Sequence, residues 1–353
     1  PGRTTPLPAL LVMAHDRGLG QLVIDSGDQP AVDRWLVDRP TWRPLVKTLP
    51  DLAKRRGVLA HAFYGQPTRG MTVIAVTGTN GKSSVAHGLG RCLAARFGCA
   101  ASIGTLGISL HRSGSTGVQS LALEKPELTS LPAVRLARCL ATLRDQAVTH
   151  VVLEASSIGL EQYRLAGCQL KLAALTNFSQ DHLDYHTSLE AYAQAKALLF
   201  QAPGLQAVVA VQPDAAALPQ AHWLFDQAVS QRSGWQTVVV SVGRDGQVQF
   251  NGLASSVSST EQTLGRHNQE NKAVAMGCLR ALGVSESDLP GLLSAFALPK
   301  GRLERVLPSD GGAASESDDR CPLVYVDYAH TPDALNKVIE ALRPQAEQRG
   351  GSL

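Results

Sequence analysis

The chain has 353 residues, of which 44% are hydrophobic, 18% charged and 5% aromatic, and its formal net charge is +3. That length exceeds one ordinary domain and points to two or three, with interiors filled mainly by Ala, Val and Leu. The near-neutral balance gives no electrostatic reason for a nucleic-acid or membrane-surface partner, no apolar run reaches spanning length, and six scattered cysteines without a CxxC pair argue against a disulfide framework or a zinc site and fit reduced cytoplasmic thiols.

Residues 1–68 are weakly patterned: Asp33 to Pro50 mixes Trp, Arg and Pro, Leu49 to Phe63 reads as a short amphipathic helix, and Tyr64-Gly65-Gln66-Pro67 as a turn. The pattern then becomes α/β. Thr72 to Thr77 is a buried-strand run, followed by a Gly-rich turn and a helix over Lys82 to Phe97. Further strands are predicted at His150 to Ala155, Leu172 to Thr176, Ala207 to Gln212 and Thr237 to Val242. Helices are predicted at Ala133 to Gln146, Ser188 to Phe200, Asn268 to Leu282 and Glu286 to Phe296. Alternation of this kind implies a mostly parallel sheet covered by helices on both faces. Pro299-Lys300-Gly301 punctuates its end. Beyond it come Leu303 to Leu307, a polar loop over Ser309 to Asp319, a strand at Leu323 to Tyr328 and a helix at Thr331 to Gln345. The last pair reads as the start of a second α/β unit that is cut off. The first residue is not Met, the last are Gly350-Gly351-Ser352-Leu353, and both ends read as truncated or processed.

The sharpest local signal is Gly78-Thr79-Asn80-Gly81-Lys82-Ser83-Ser84, between a strand and a helix. A loop free of bulky Cβ groups can turn its amides around a polyphosphate, and the helix N-terminus adds partial positive charge. Lys82 can bridge terminal phosphates and Ser83 can ligate Mg²⁺. Only two residues separate the glycines, where the general phosphate loop has four. An incidental lysine at a helix start is the bland alternative, and the strand–loop–helix context disfavours it.

Glu154 ends a strand, where a carboxylate faces the ligand crevice of a parallel sheet, and is a candidate Mg²⁺ ligand. Asp181, His182, Asp184 and His186 follow another strand and are metal-site material, although spacing does not decide which of them ligates. Lys196, by composition alone, reads as an exposed helical lysine.

Taken together these strings resemble the Mur ligase family. They run in family order from Thr77-Gly78-Thr79-Asn80-Gly81-Lys82-Ser83 through Glu154-Ala155-Ser156-Ser157, Thr176-Asn177, Asp181 to His186 and Ala195-Lys196, to Gly265-Arg266-His267-Asn268, Gly301-Arg302-Leu303-Glu304 and Asp327 to Pro332. The second and the last point more narrowly to the branch that adds the third amino acid to the peptidoglycan precursor. The resemblance implies a partial N-terminal UDP-binding domain over 1–68, a phosphate-loop central domain over 69–298 and the start of a Rossmann-like C-terminal domain over 299–353. It implies an ATP-dependent, monomeric, cytoplasmic ligase acting on UDP-N-acetylmuramoyl-L-alanyl-D-glutamate and meso-diaminopimelate or L-lysine. Ser83, Glu154, His182 and a carbamylated Lys196 would hold Mg²⁺. Gly78 to Ser84, Asn177, Asn271 (adenine), Asp327 (ribose) and Arg302 would contact the nucleotide. Thr129, Ser130, Ser156, Gln162 and Arg164 would contact the UDP-muramoyl-dipeptide. Ile158 stands where many members carry His, His267 replaces a common Phe, and Asp25-Ser26-Gly27 is a degraded form of the N-terminal Asp-Ser-Arg signature. A folylpolyglutamate synthase, another Mur ligase and a non-catalytic nucleotide-binding fragment are the alternatives, and with most of the C-terminal domain absent, weak turnover is expected.

Overall fold

A computed structural model describes residues 21–124, 128–230, 234–243, 247–255, 264–306 and 322–351. The predicted loop over Ser309 to Asp319 lies outside them. The first described unit pairs β1 (Leu22–Asp25) with β2 (Val46–Leu49) in parallel, with helix α1 (Gln29–Leu36) between them, around Ile24, Val32 and Leu36. Asp25 ties this unit to helix α2 (Leu52–Phe63): one carboxylate oxygen accepts from Gly27 N at 2.9 Å and the other from Leu52 N at 2.7 Å.

The main body is a ten-stranded sheet. In chain order its strands are β3 (Thr72–Thr77), β4 (Cys99–Gly104), β5 (Gly107–Gly114), β6 (Gly117–Glu124), β7 (His150–Glu154), β8 (Leu172–Leu175), β9 (Ala207–Val211), β10 (Gln236–Val242), β11 (Val248–Phe250) and β12 (Leu253–Ala254). In space they lie β12-β11-β10-β9-β8-β3-β7-β4-β5-β6. The middle six, from β10 to β4, run parallel, and an antiparallel hairpin closes each side.

Alternation in β3 explains why both faces are covered. Val73 and Ala75 point into one core and Ile74 and Val76 into the other. The first core is closed by α4 (Ala133–Asp145), α5 (Ser157–Glu161), α6 (Leu189–Ala197) and α7 (Pro219–Val229), through Leu136, Leu140, Leu160, Ala197 and Leu224. The second is closed by α3 (Lys82–Phe97), α8 (Arg266–Ala281) and α9 (Leu289–Leu293), through Val85, Leu89, Leu93, Val274 and Leu289. Strands buried on both faces need continuous apolar runs, which is what β3, β7, β8 and β9 carry.

Beyond α9, β13 (Glu304–Val306) pairs antiparallel with β14 (Val324–Val326), and α10 (Pro332–Gln348) follows, capped by the Thr331 hydroxyl accepting from Ala334 N at 3.2 Å. The predicted elements are present with shifted ends. The exception is Glu286 to Phe296, where only Leu289–Leu293 is helical, with Pro290 in its first turn and Gly291, a poor helix former, at its centre. Beyond these, β1, β2, β4, β5, β6, β11, β12, α1 and α7 have no counterpart among the predicted elements.

Candidate active site

Three neighbouring parallel strands end together. Val76 of β3 is level with Glu154 of β7, and Thr77 with Leu175 of β8, so the loop after β3 sits between Glu154 and Thr176-Asn177. The strand order places this crevice at the carboxyl ends of the parallel core, where such sheets bind ligands. Gly78 and Gly81 have φ of 141° and 86°, and a Cβ on them would collide with Thr176 Oγ1 and Asn271 Oδ1 respectively, so the turn needs glycine for both conformation and space. Asn177 pins the loop: its Oδ1 accepts from Asn80 N at 2.9 Å and its Nδ2 donates to Asn80 O at 3.1 Å. Thr79 Oγ1 donates to Ser179 O and accepts from Ser179 N, both at 3.0 Å.

Lys82 Nζ turns back onto the loop, donating to Gly78 O at 2.9 Å and Thr79 O at 2.8 Å. Lys196 Nζ, buried and 4.3 Å from the centre of the Tyr192 ring, donates to the same Gly78 O at 2.8 Å. Lys196 is on the inner face of α6, so the composition-based reading of an exposed helical lysine gives way. Burial, and then the neighbouring Lys82, push its ammonium well below the usual lysine range; burial also lowers Lys82. Glu154 is pushed the other way by burial, against the pull of Lys82 and hydrogen bonds from Ser83 and Thr105. His182 adopts φ 52° in the loop after β8 and is lowered by burial, partly offset by Asp181, whose Oδ2 lies 3.6 Å from its Nε2. Lys82, Glu154, His182 and Lys196 thus share one electrostatic neighbourhood.

The acid-histidine run does not gather into a cluster of its own. His186 Nε2 faces Ser157 Oγ at 2.9 Å, and among the described residues no three His, Cys, Asp or Glu side chains converge as metal ligands. The oxygen donors that do converge are the Glu154 carboxylate and the Ser83 hydroxyl, with Ser84 buried beside them. Two protein oxygens beside a phosphate loop fit Mg²⁺, which keeps waters and shares phosphate oxygens.

The residues of the second set form a continuous network. Ser130 Oγ donates to Glu154 O and accepts from Ser156 N, both at 3.0 Å, and lies 3.1 Å from Ser156 Oγ, which caps α5 through Gly159 N. Arg164 donates to Ser130 O at 2.8 Å and through Nη2 to Gln162 Oε1 at 2.7 Å. Thr129 Oγ1 is 2.9 Å from Thr105 Oγ1, which itself donates to Glu154 Oε2 at 3.1 Å.

The remaining residues are spread more widely. Asn271 is buried under Gly81 and donates to Asn268 Oδ1 at 3.2 Å. Arg302 Nη2 reaches Ser83 Oγ at 3.5 Å, its guanidinium lies 5.0 Å from the centre of the Tyr328 ring, and its buried Nε has no hydrogen-bond partner among the described residues. Both oxygens of Asp327 accept backbone amides, from Leu303 and Ala329 at 2.7 Å each. A cavity of about 840 Å³ opens beside the loop, lined by Asn177, Ser179, His267, Glu270, Asp333 and Lys337 among others, a size suited to a nucleoside. Of the predicted nucleotide contacts, only Asn177 lines it.

Sequence reasoning missed Thr105, Tyr192 and Asp333. Tyr192 precedes Lys196 by one helical turn, a legible spacing. Asp333 Oδ2 accepts from Asn80 Nδ2 and Ser179 Oγ, both at 3.2 Å, a contact across the fold that no local pattern announces.

A doubly covered, mostly parallel sheet with a glycine-rich strand–loop–helix turn at its centre defines an α/β protein of the phosphate-loop type. The model of the Mur ligase middle domain matches residues 76–279, more than half of the chain, and the chain belongs to the Mur ligase family. It is 35% identical over 327 residues to a protein of Janthinobacterium sp. (strain Marseille) and 36% identical over 317 residues to one of Pseudomonas aeruginosa, both named UDP-N-acetylmuramoyl-L-alanyl-D-glutamate–2,6-diaminopimelate ligase. The matches cover 88% of this chain in each case, and 62% and 61% of the relatives, so the chain spans about three fifths of their length. A solved structure of a ligase with that name superimposes with a TM-score of 0.65 at 29% identity, covering 85% of this chain and 59% of the other. A Mycobacterium tuberculosis folylpolyglutamate synthase shares the fold at 19% identity and a TM-score of 0.59, over 89% of this chain and 73% of that one. Among the described residues no helix is long and apolar enough to cross a membrane.

Proposed function

We propose that this chain carries the ATP-binding and peptide-binding machinery of a ligase that joins 2,6-diaminopimelate to the D-glutamate of UDP-N-acetylmuramoyl-L-alanyl-D-glutamate. One observation supports this reading above the others. The Thr129, Ser130, Ser156, Gln162 and Arg164 network is hydrogen-bonded to Glu154, so a peptide pocket and a phosphate site share a wall.

A carboxylate and an amine do not condense in water because the leaving group is poor. In the proposed reaction the D-glutamate γ-carboxylate attacks the γ-phosphorus of ATP. The bond to the bridging oxygen breaks and ADP leaves. The amine then attacks the acyl phosphate, losing a proton and expelling phosphate. The first step brings two anions together. Lys82 would leave the Gly78 and Thr79 carbonyls for the phosphates, and Arg302 would add a second cation from the far side. Ser83, Glu154, His182 and Lys196 would hold Mg²⁺, which when bound offsets phosphate charge. Lys196 suits carbamylation: a buried amine with a depressed affinity for protons is the nucleophile that CO₂ requires, and the product is an anionic oxygen ligand. Arg164 would hold a substrate carboxylate or phosphate by paired N–H donors. The cavity by Asn177 and His267 would take the nucleoside.

The test is phosphate release by the full-length protein with ATP, Mg²⁺ and the UDP-muramoyl-dipeptide. Release that needs both the dipeptide and 2,6-diaminopimelate is the expected result. Release with L-lysine alone would change the amine, and release with a folate in place of the dipeptide would overturn the assignment.

A further inference from the structure

Thr105 lies in the turn after β4, outside every string that marks the family in this chain, yet it touches Glu154 twice. Its backbone N–H donates to Glu154 Oε1 at 3.0 Å, and its hydroxyl donates to Glu154 Oε2 at 3.1 Å. Thr129 Oγ1, 2.9 Å from the same hydroxyl on the peptide side, is the alternative acceptor of its proton. Gly104 makes the approach possible, since a Cβ there would collide with the Glu154 carboxylate. Glu154 itself is 4% exposed, so its orientation is set by these neighbours rather than by water.

A hydroxyl has one proton, and here two acceptors stand within reach of it. Resting on the ligase reading above, we propose that Thr105 is a positioning residue that couples the peptide pocket to the phosphate site through this contested proton. An anionic group of the dipeptide substrate that accepts the Thr129 proton makes Thr129 Oγ1 a better acceptor, because hydrogen bonds in series polarise one another. The Thr105 proton then moves toward Thr129, which frees a lone pair on Glu154 Oε2 that could serve a metal ion bound with the nucleotide. The backbone N–H keeps Oε1 in place throughout, so the carboxylate does not swing away. Substrate binding would therefore tighten nucleotide binding, and by linkage the reverse.

The experiment is calorimetric binding of Mg²⁺ with a non-hydrolysable ATP analogue to the full-length protein, with and without the UDP-muramoyl-dipeptide. Wild type should bind the analogue about five-fold or more tightly when the dipeptide is present. Thr105→Val, which keeps the shape and the backbone N–H, should bring that ratio close to one. Thr105→Ser should restore it. Thr105→Ala serves as a second deletion of the hydroxyl should the Val variant melt early. A wild-type ratio in both deletion variants overturns the coupling and leaves the ligase reading standing, as does a ratio of one in wild type with both ligands bound. Failure of wild type to bind either ligand overturns both.

Discussion

The central sheet buries polar side chains in two places and treats them in opposite ways. In the β4–β5–β6 hairpin region, His111 is fully buried and both ring nitrogens have partners, Ser102 Oγ at 2.9 Å and Ser120 Oγ at 2.7 Å. The His87 ring packs edge-on at 4.9 Å, and burial keeps both imidazoles neutral, His111 down to about 3 and His87 to about 4. At the carboxyl ends of β3 and β7 the network does not close. Two ammonium groups, Lys196 buried and Lys82 half-buried, share one carbonyl, Arg302 Nε has no hydrogen-bond partner among the described residues, and burial opposes the charge on Lys82, Lys196 and Glu154 alike. A closed buried network fixes a shape, whereas an open one keeps charged groups ready for a ligand.

That contrast is broken most directly by exchanging the costs of mutation. Lys82→Met should lower ligation by about 10³-fold, a loss of about 4 kcal/mol of transition-state stabilisation. Its melting temperature should hold or rise, because a half-buried cation whose charge desolvation opposes has been removed. His111→Ala should do the reverse. It strands the buried Ser102 hydroxyl and opens a cavity, costing about 2–4 kcal/mol in denaturant titration. Turnover of the folded protein should be unchanged. A Lys82→Met variant that unfolds, or a folded His111→Ala variant without activity, would sink the comparison.

Acid sharpens it. His111 and His87 take up protons less readily in the folded chain than at the ordinary value of 6.5. Between about 6.5 and the folded values the unfolded state holds more protons, so stability rises with pH and is lost as pH falls through that window. Each group contributes at most about 1.4 kcal/mol per pH unit. Denaturant titrations at pH 7 and pH 5 should differ, and His111→Gln should shrink the difference. An unchanged pH slope in that variant would remove His111 from the account.

How much of this could be read beforehand follows from the range of each interaction. The phosphate loop, Glu154 and the parallel core announce themselves over a few consecutive residues, because a turn, a strand end and an apolar run are local objects. The β5–β6 hairpin escapes because β5 does not alternate, with His111 a polar residue buried next to Leu110, and β6 is exposed along most of its length. Missing β4 hides Thr105 as well, since its importance depends on lying after a strand beside β7. Lys196 reads as a surface residue until α6 is docked with that face inward. The placement of Asp333 against Asn80 joins residues 253 apart in sequence, and only folding reveals it.

Asp333 gives the smallest expected effect and the finest test of the open-network idea. Its Oδ2 collects donors from the phosphate loop, the segment after β8 and, at 2.9 Å, Lys337 of its own helix. It therefore latches α10 to the Gly78–Ser84 loop side of the sheet. Its side chain is 38% exposed and that of Lys337 35%, so water screens the pair and its electrostatic worth is small. Asp333→Asn keeps a carbonyl oxygen for Asn80 and Ser179 but drops the charge facing Lys337. The Michaelis constant for ATP should rise about two- to five-fold, about 0.5–1 kcal/mol, with kcat nearly unchanged. A fall in kcat of a hundred-fold would instead place Asp333 among the groups that act on the reacting phosphate, and the latch would have to be abandoned for a direct role.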